Sequence, residues 1–402
     1  MGRSLRVGML LDRTFPPDPR VSNEARSLAG AGYEVHILCL RHGREQPEIE
    51  DWRGITLHRL LMPRWFYRKA SALSLDLPAY RWALRGALDS LMKRSGIEIL
   101  HLHDLPMVAE GLRAGRKAGV PVVADLHENW PAALATYGYA RRFPGRILIS
   151  PSRWAEHERR ALPHAERVIV VVEEARDRLI GMGIRSDRIE VVQNTVDEDE
   201  FDGFGIDPRI VERFAGRFVV SYLGGFERHR GIETAVRAMP ALLRAVPDAL
   251  LLLVGTGSTE SQLRAEAERL GVARSVAFEG WQPFERFPSY ISASAACLIP
   301  HLRNDHTDTT IPHKLFHYML LGRPVLVSDC RPLRRIVEEC RAGIVVPSGD
   351  PAALAEAAAR LADPSARAAL GEAGREAVRR KYNWSLDGGR LVALYRELER
   401  RR

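Results

Sequence analysis

Short apolar runs recur along this chain with helical stretches between them, and few folds accommodate that alternation. LRVGMLL, EVHILCL, ITLHRLL, IEILHLH, PVVADLH, RVIVVV and RIEVVQN occupy the first half; RFVVSYLGG, ALLLLVGTG, SVAFEG, AACLIP, RPVLVSD and AGIVVP occupy the second. Several are unbroken rather than alternating, as strands buried on both faces are, and parallel sheets wrapped by helices bury strands in that way. A first helix is expected from about Val21 to Ala31, closed by Gly32. The rhythm pauses once, in the acidic and glycine-bearing TVDEDEFDGFGIDP after Asn194. The expected fold class is therefore α/β, with two tandem Rossmann-like domains whose parallel sheets face an interdomain cleft. They are placed at residues 1–195 and 196–375, with helices over 376–402, broken near Tyr382 to Ser385, packing back on the first.

The formal charge of +8 favours acidic partners without choosing among nucleic acid, anionic lipid and small phosphorylated molecules. Much of the excess is Arg on helix faces, as in ARRFPGR and YRELERRR, which reads as solvated surface. No aromatic-basic sheet surface or helix-turn-helix spacing stands out, so nucleic acid is not an expected partner. Cys39, Cys297, Cys330 and Cys340 form no CxxC pair, and neither a disulfide framework nor a zinc site is expected. The opening MGRSLRVGMLLDRTF lacks a long apolar core, and no run approaches the ~18 apolar residues of a bilayer span, so a cytoplasmic chain is expected. From Leu60 to Arg94 aromatic and basic residues mix. That composition suits a helix packed on the first sheet or one resting on an anionic membrane surface, which would make the chain peripheral on the inner face.

In open parallel sheets ligands bind beyond the C-terminal strand ends, so residues just after each apolar run are the candidates. His306 to Asp329, HTDTTIPHKLFHYMLLGRPVLVSD, reads as loop, helix and strand: Thr310 caps, Pro312 sits in the first turn and Gly322 closes the helix. Ile311, Leu315, Met319 and Leu320 share a buried face, while His313, Lys314 and His317 share a polar one. A Lys in the first turn opposes the helix dipole unless an anion is bound there. In YLGGFERHRG, Gly224 and Gly225 follow a strand and Arg230 opens the next helix, an arrangement suited to phosphate or else a tight turn with a surface Arg. Gly255 in VGTGS is a weaker instance. HLHDLP and DLHENWP end strands with His beside an acid, and His127 with Asp104 are the expected catalytic pair at the cleft floor. Arg20, His103 and Glu128, also at strand ends, are candidates for holding an acceptor, and His101 is expected on the other side of its strand. Asp197 to Asp199 lies in the linker, and Asp305, His306 and Asp308 have no fixed register for chelation, so no metal and no cofactor is expected.

Together these motifs resemble the retaining glycosyltransferases of family 4, whose two-Rossmann architecture is called GT-B. PRVSNEARSLAGAGYEV, DLHE, VVQNTVD, GGFERHRG, VGTGS, FEGW and IPHKLFHYMLLGRPVLVSD carry the likeness, in order and over nearly the whole chain. The resemblance implies metal-independent transfer of a sugar, with retention of configuration, from a nucleotide diphosphate donor to an acceptor hydroxyl. The donor belongs to the second domain, and a glycan, lipid-linked or small-molecule acceptor to the first, in polysaccharide, glycolipid or glycoconjugate assembly. By the same likeness His127 contacts the donor sugar, Arg230 stands for the family's diphosphate-binding Lys, and Lys314 is similar to the Lys of a PxK variant. Gly225 stands where many members have an Arg. Thr309 and His317 stand where many carry glutamates for the donor sugar and ribose; His317 can still hydrogen-bond a ribose hydroxyl, with Asp308 and Thr310 beside them on the donor side. A nucleotide-sugar epimerase or hydrolase, or a non-catalytic nucleotide-sugar-binding relative, are the alternatives on this fold.

Overall fold

The computed structural model describes residues 4–70, 78–141, 143, 145 and 149–401. The chain forms two compact units, Met1–Gln193 with Asp387–Arg402, and Asn194–Leu386.

In the first unit eight strands among the described residues make one sheet: β1 (Arg6–Thr14), β2 (Glu34–Arg41), β3 (Ile49–Trp52), β4 (Ile55–Leu61), β5 (Ile99–His103), β6 (Val122–Leu126), β7 (Arg167–Val170) and β8 (Ile189–Val191). Their order is β3-β4-β2-β1-β5-β6-β7-β8, and every pairing is parallel except β3 with β4. That hairpin departs from the wholly parallel expectation. Arg53 and Gly54, both at positive φ (55° and 79°), form its two-residue turn, which matches the twist of the strands it joins. The helix Pro19–Gly30 is capped by Asp18, whose Oδ1 accepts the Val21 N–H at 3.1 Å. Its buried stripe runs through Arg20, Val21, Glu24, Ala25 and Leu28, so two charged residues one turn apart point into the core.

The chain rejoins this unit at Asp387, inside the helix Trp384–Arg400; residues 376–386 stay with the second unit. Leu391, Leu394, Tyr395 and Leu398 are buried at helical spacing, each contributing roughly 1.5–3 kcal/mol by transfer from water. Polar ties add to them: Arg167 Nη2 lies 2.7 Å from Glu397 Oε1, and the Tyr395 hydroxyl 2.7 Å from His101 Nδ1.

The second unit holds six strands among the described residues: β9 (Phe218–Leu223), β10 (Ala249–Val254), β11 (Val276–Gly280), β12 (Ala296–Ile299), β13 (Val325–Ser328) and β14 (Gly343–Val346). All pair in parallel, in the order β11-β10-β9-β12-β13-β14. The strand order reverses at β1/β5 in one sheet and β9/β12 in the other, where open α/β sheets leave a crevice at their C-terminal edge. The acidic stretch is folded: Asp197 caps the helix Glu198–Asp202 and Phe201 is buried. The helix expected over 311–321 is Lys314–Leu320 instead. Thr310 is extended rather than a cap, because Asn304 Oδ1 takes the His306 and Thr307 N–H groups and a tighter turn forms first, over Thr307–Thr309.

All four cysteines are free thiols, and among the described residues no helix is long and apolar enough to cross a membrane. Of the expected helix between Leu60 and Arg94, Arg64–Ala70 and Pro78–Ser95 are helical, and the part at 71–77 lies outside the described residues.

Gly231 combines φ +66° with a position where a Cβ would stand 1.9 Å from the Pro300 carbonyl oxygen, whereas Gly271 has a similar φ (+70°) in open space. Gly271→Ala should therefore cost about 1 kcal/mol and Gly231→Ala clearly more than about 2 kcal/mol, read as shifts in the urea midpoint.

Candidate functional site

Two polar clusters occupy the crevices at the strand-order reversals, one in each unit.

In the second unit β9 ends at Gly224 (φ +131°), whose carbonyl oxygen would lie 2.0 Å from a Cβ on Gly255; both glycines let the loops after β9 and β10 meet. The Tyr222 hydroxyl donates to the Gly225 carbonyl at 2.8 Å. Lys314 lays its ammonium over the Tyr222 ring, 3.8 Å from the centroid, and a Cβ on Gly224 would come within 2.6 Å of Nζ. Arg230 donates from Nη1 to His301 Nε2 at 3.3 Å. Burial, then the neighbouring Arg230 charge, pushes the Lys314 ammonium well below its ordinary pKa. His301 is driven well down by burial, Arg230 and Lys314; His229 and His306 fall to about 4 and about 3 for related reasons. Gly224, Gly225, Arg230, Gly255 and Lys314 thus gather at one place, as neighbours of three neutral imidazoles.

The remaining donor-side candidates are placed otherwise. Thr309 Oγ1 donates to the Asp305 carbonyl at 2.6 Å, and Asp308 is held by Arg303 Nε (3.0 Å) and the Arg331 N–H (2.9 Å). His317 belongs to no polar face. It is buried, stacked on Phe201 (centroids 4.6 Å apart) and edge-on to Phe284, with its pKa lowered to about 3 by burial.

In the first unit the ends of β1, β5 and β6 converge. Asp104, following β5, adopts φ +67°, an uncommon conformation outside glycine, and its N–H donates to the Asp125 carbonyl at 2.8 Å. Its Oδ1 accepts the His127 N–H at 3.1 Å, and its Oδ2 lies 3.0 Å from Arg13 Nη2. His127 Nε2 lies 2.8 Å from Asp125 Oδ2, so His127 and Asp104 are brought together with Asp125 between β6 and the crevice. Glu128 accepts the Tyr137 hydroxyl at 3.1 Å.

Arg20 and His103 require correction as acceptor-holding residues. Arg20 is buried: it forks onto Asp125 (Nη2–Oδ1 2.6 Å, Nε–Oδ2 3.0 Å), reaches Glu24 Oε1 at 2.9 Å and donates to the Val192 carbonyl at 2.9 Å. His103 is wholly buried 3.3 Å from Asp125 Oδ2. His101 lies on the same side as His103, ring centroids 4.6 Å apart, because residues two apart in a strand share a face. The Glu24, His101, His103 and Asp125 side chains approach within 4.8 Å of one another, but the guanidinium already stands between the two carboxylates and supplies the positive charge.

Residues 17–195 match the family model described as a glycosyl transferase 4-like domain, and residues 217–363 match the one described as glycosyl transferases group 1. The chain belongs to glycosyltransferase family 4. It is similar to the alpha-D-kanosaminyltransferase of Streptomyces kanamyceticus, with 26% identity over 92% of this chain and 97% of that one. The phosphatidyl-myo-inositol mannosyltransferase of Mycobacterium leprae is 27% identical over 97% of this chain and 96% of its own. In fold it resembles sucrose-phosphate synthase from Thermosynechococcus elongatus, with TM-score 0.80 and 21% identity over 99% and 100% of the two chains.

Several residues of this glycosyltransferase escape sequence reasoning. His229 and His301 stand beside the two cations together with His306, which the sequence offered only as a chelator without a fixed register; their signal was three histidines following neighbouring strands. Asp12, where the Tyr80 hydroxyl donates to its Oδ1, has a carboxyl pushed up to about 7 by burial, outweighing Tyr80 and Arg13.

Arg20→Met should leave Glu24 and Asp125 buried without their cation and cost about 3–5 kcal/mol by urea denaturation at pH 7, a deficit that narrows as acid protonates Asp125, whose carboxyl Arg20 holds well below its ordinary range. His229 and His306 have folded pKa values below the ordinary 6.5, so the unfolded chain binds the extra protons. Their effect is a loss of stability as pH falls from about 6.5 through about 4 and about 3, and His306→Gln should flatten that limb.

Proposed function

We propose that this glycosyltransferase moves a sugar from a nucleotide diphosphate donor held by the second unit to a hydroxyl of an acceptor received by the first, with retention of configuration and without a metal. The observation that carries the reading is the closeness of Arg230 and Lys314 to one another and to the Gly224 backbone. Two cations crowded together against neutral imidazoles are a poor arrangement alone and a good one around a pyrophosphate. The helix beginning at Lys314 has only seven residues, so the side-chain charges and the glycine backbones carry the anion rather than a helix dipole.

In the proposed step the bond from the anomeric carbon to the β-phosphate oxygen breaks while one to the acceptor oxygen forms on the same face. The acceptor proton passes to the departing phosphate oxygen. Charge grows on the leaving diphosphate, and fixed cations already aimed there stabilise it without reorganisation. Metal independence is supported by the same cations, and in the first unit by Arg20, which fills the one cluster among the described residues whose ligand atoms lie close enough to hold a metal ion. The relatives' names range from a 2-deoxystreptamine glucosyltransferase to a phosphatidyl-myo-inositol mannosyltransferase, so the acceptor class is proposed only as a polyhydroxylated molecule.

Nucleoside diphosphates should raise the melting temperature, and Arg230→Ala and Lys314→Ala should each weaken binding roughly tenfold, about 1.4 kcal/mol, in thermal-shift titrations. Variants that respond as the parent does would place the phosphate elsewhere. Anomeric NMR of the transfer product reads retention, and donor consumption at full rate without acceptor would favour a hydrolase.

A further inference from the structure

His127 faces a carboxylate from each ring nitrogen. Nε2 lies 2.8 Å from the fully buried Oδ2 of Asp125, and Nδ1 lies 3.5 Å from Oδ2 of Asp104. An ionised carboxylate only accepts, so a ring nitrogen facing one is satisfied by carrying a proton. Asp125 cannot turn aside, because Arg20 forks onto both of its oxygens. Asp104 is fixed as well, by the His127 N–H and by Arg13.

We propose that Asp125 is a positioning residue that fixes the His127 ring with Nε2–H donated inward, making His127 an imidazolium at neutral pH whose looser Nδ1–H is the donor offered to the reacting sugar. The assignment of a sugar to this place rests on the function proposed above. The charge state rests on the two facing carboxylates, with His103 Nδ1, 3.1 Å from Nε2, held against the same Asp125 oxygen.

His127 is then a fixed positive charge and hydrogen-bond donor rather than a general base. The groups around it come from every neighbouring element. Asp104 after β5, Asp125 on β6 and Asp18 before the first helix favour the proton, while Arg20 on that helix and His103 on β5 oppose it. Burial alone would lower the pKa, yet Asp104 and Asp125 raise it to about 9. The linked stability is fully present below about 6.5 and is lost as pH rises through about 9.

The test is nitrogen-detected NMR of the full chain without substrate, with the His127 ring signals assigned by their loss in His127→Gln. Both ring nitrogens of the parent should be protonated at pH 7.5, with the midpoint well above 7. Asp125→Asn should lower that midpoint by about one unit or more, and Asp104→Asn serves equally if the first variant does not fold. In transfer assays Asp125→Asn should lower kcat roughly tenfold and introduce an ionisation near neutrality absent from the parent's pH profile. A parent His127 that titrates at or below about 6.5, or an Asp125→Asn midpoint equal to the parent's, overturns the inference. The titration found as described with no transfer to any acceptor sustains the charge assignment and overturns the proposed activity instead.

Discussion

One guanidinium holds the first unit's interior together. Glu24 and Asp125 are wholly buried carboxylates, and Arg20 lies within 2.9 Å and 2.6 Å of them. Leaving either charge uncompensated in that interior costs several kcal/mol, so the packing around them is tolerable only with Arg20 in place. Much else follows from the fixed orientation of Asp125. It sets the rings of His103 and His127, and through Glu24 the network reaches His101 and so Tyr395 on the returning helix. A position on a strand end and a helix stripe thereby becomes a defined charge at the crevice.

The second unit poses the opposite electrostatic problem. Its crevice gathers Arg230 and Lys314 and holds His229, His301 and His306 neutral through burial and mutual repulsion. The first unit is largely compensated from within, while the second gathers like charges that nothing among the described residues offsets, which is what the proposed diphosphate would do. Thr309 is engaged by the Asp305 carbonyl and His317 by the Phe201 ring, so on the proposed function the donor's charge falls to Arg230 and Lys314.

The parallel strands were legible because unbroken apolar runs have few other uses; the strand-end rule pointed to Arg230, His127 and Asp104, and a Lys set against a helix dipole pointed to Lys314. The β3/β4 hairpin was not, since its first strand is short, polar and half-exposed. Arg20 was misread from its position after a strand. The better signal was its place in a helical stripe with Val21, Glu24, Ala25 and Leu28, which turns it inward. His317 was misread because a helical wheel separates two faces without saying what covers them; here the cover is Phe201, from an acidic stretch that looked like a connector. The start of the helix at Lys314 depended on Asn304 choosing a nearby turn, a competition between local hydrogen bonds that periodicity does not report.

The return of the chain at Asp387 has a bearing on synthesis. Tyr395, Leu391 and Leu398 are structural members of the first unit, yet they leave the ribosome only after the whole of Asn194–Leu386. Domains ordinarily mature in the order in which they are made. Here the half that is begun first waits with an uncovered apolar flank, and with His101 lacking its hydroxyl partner, until the half made later has emerged.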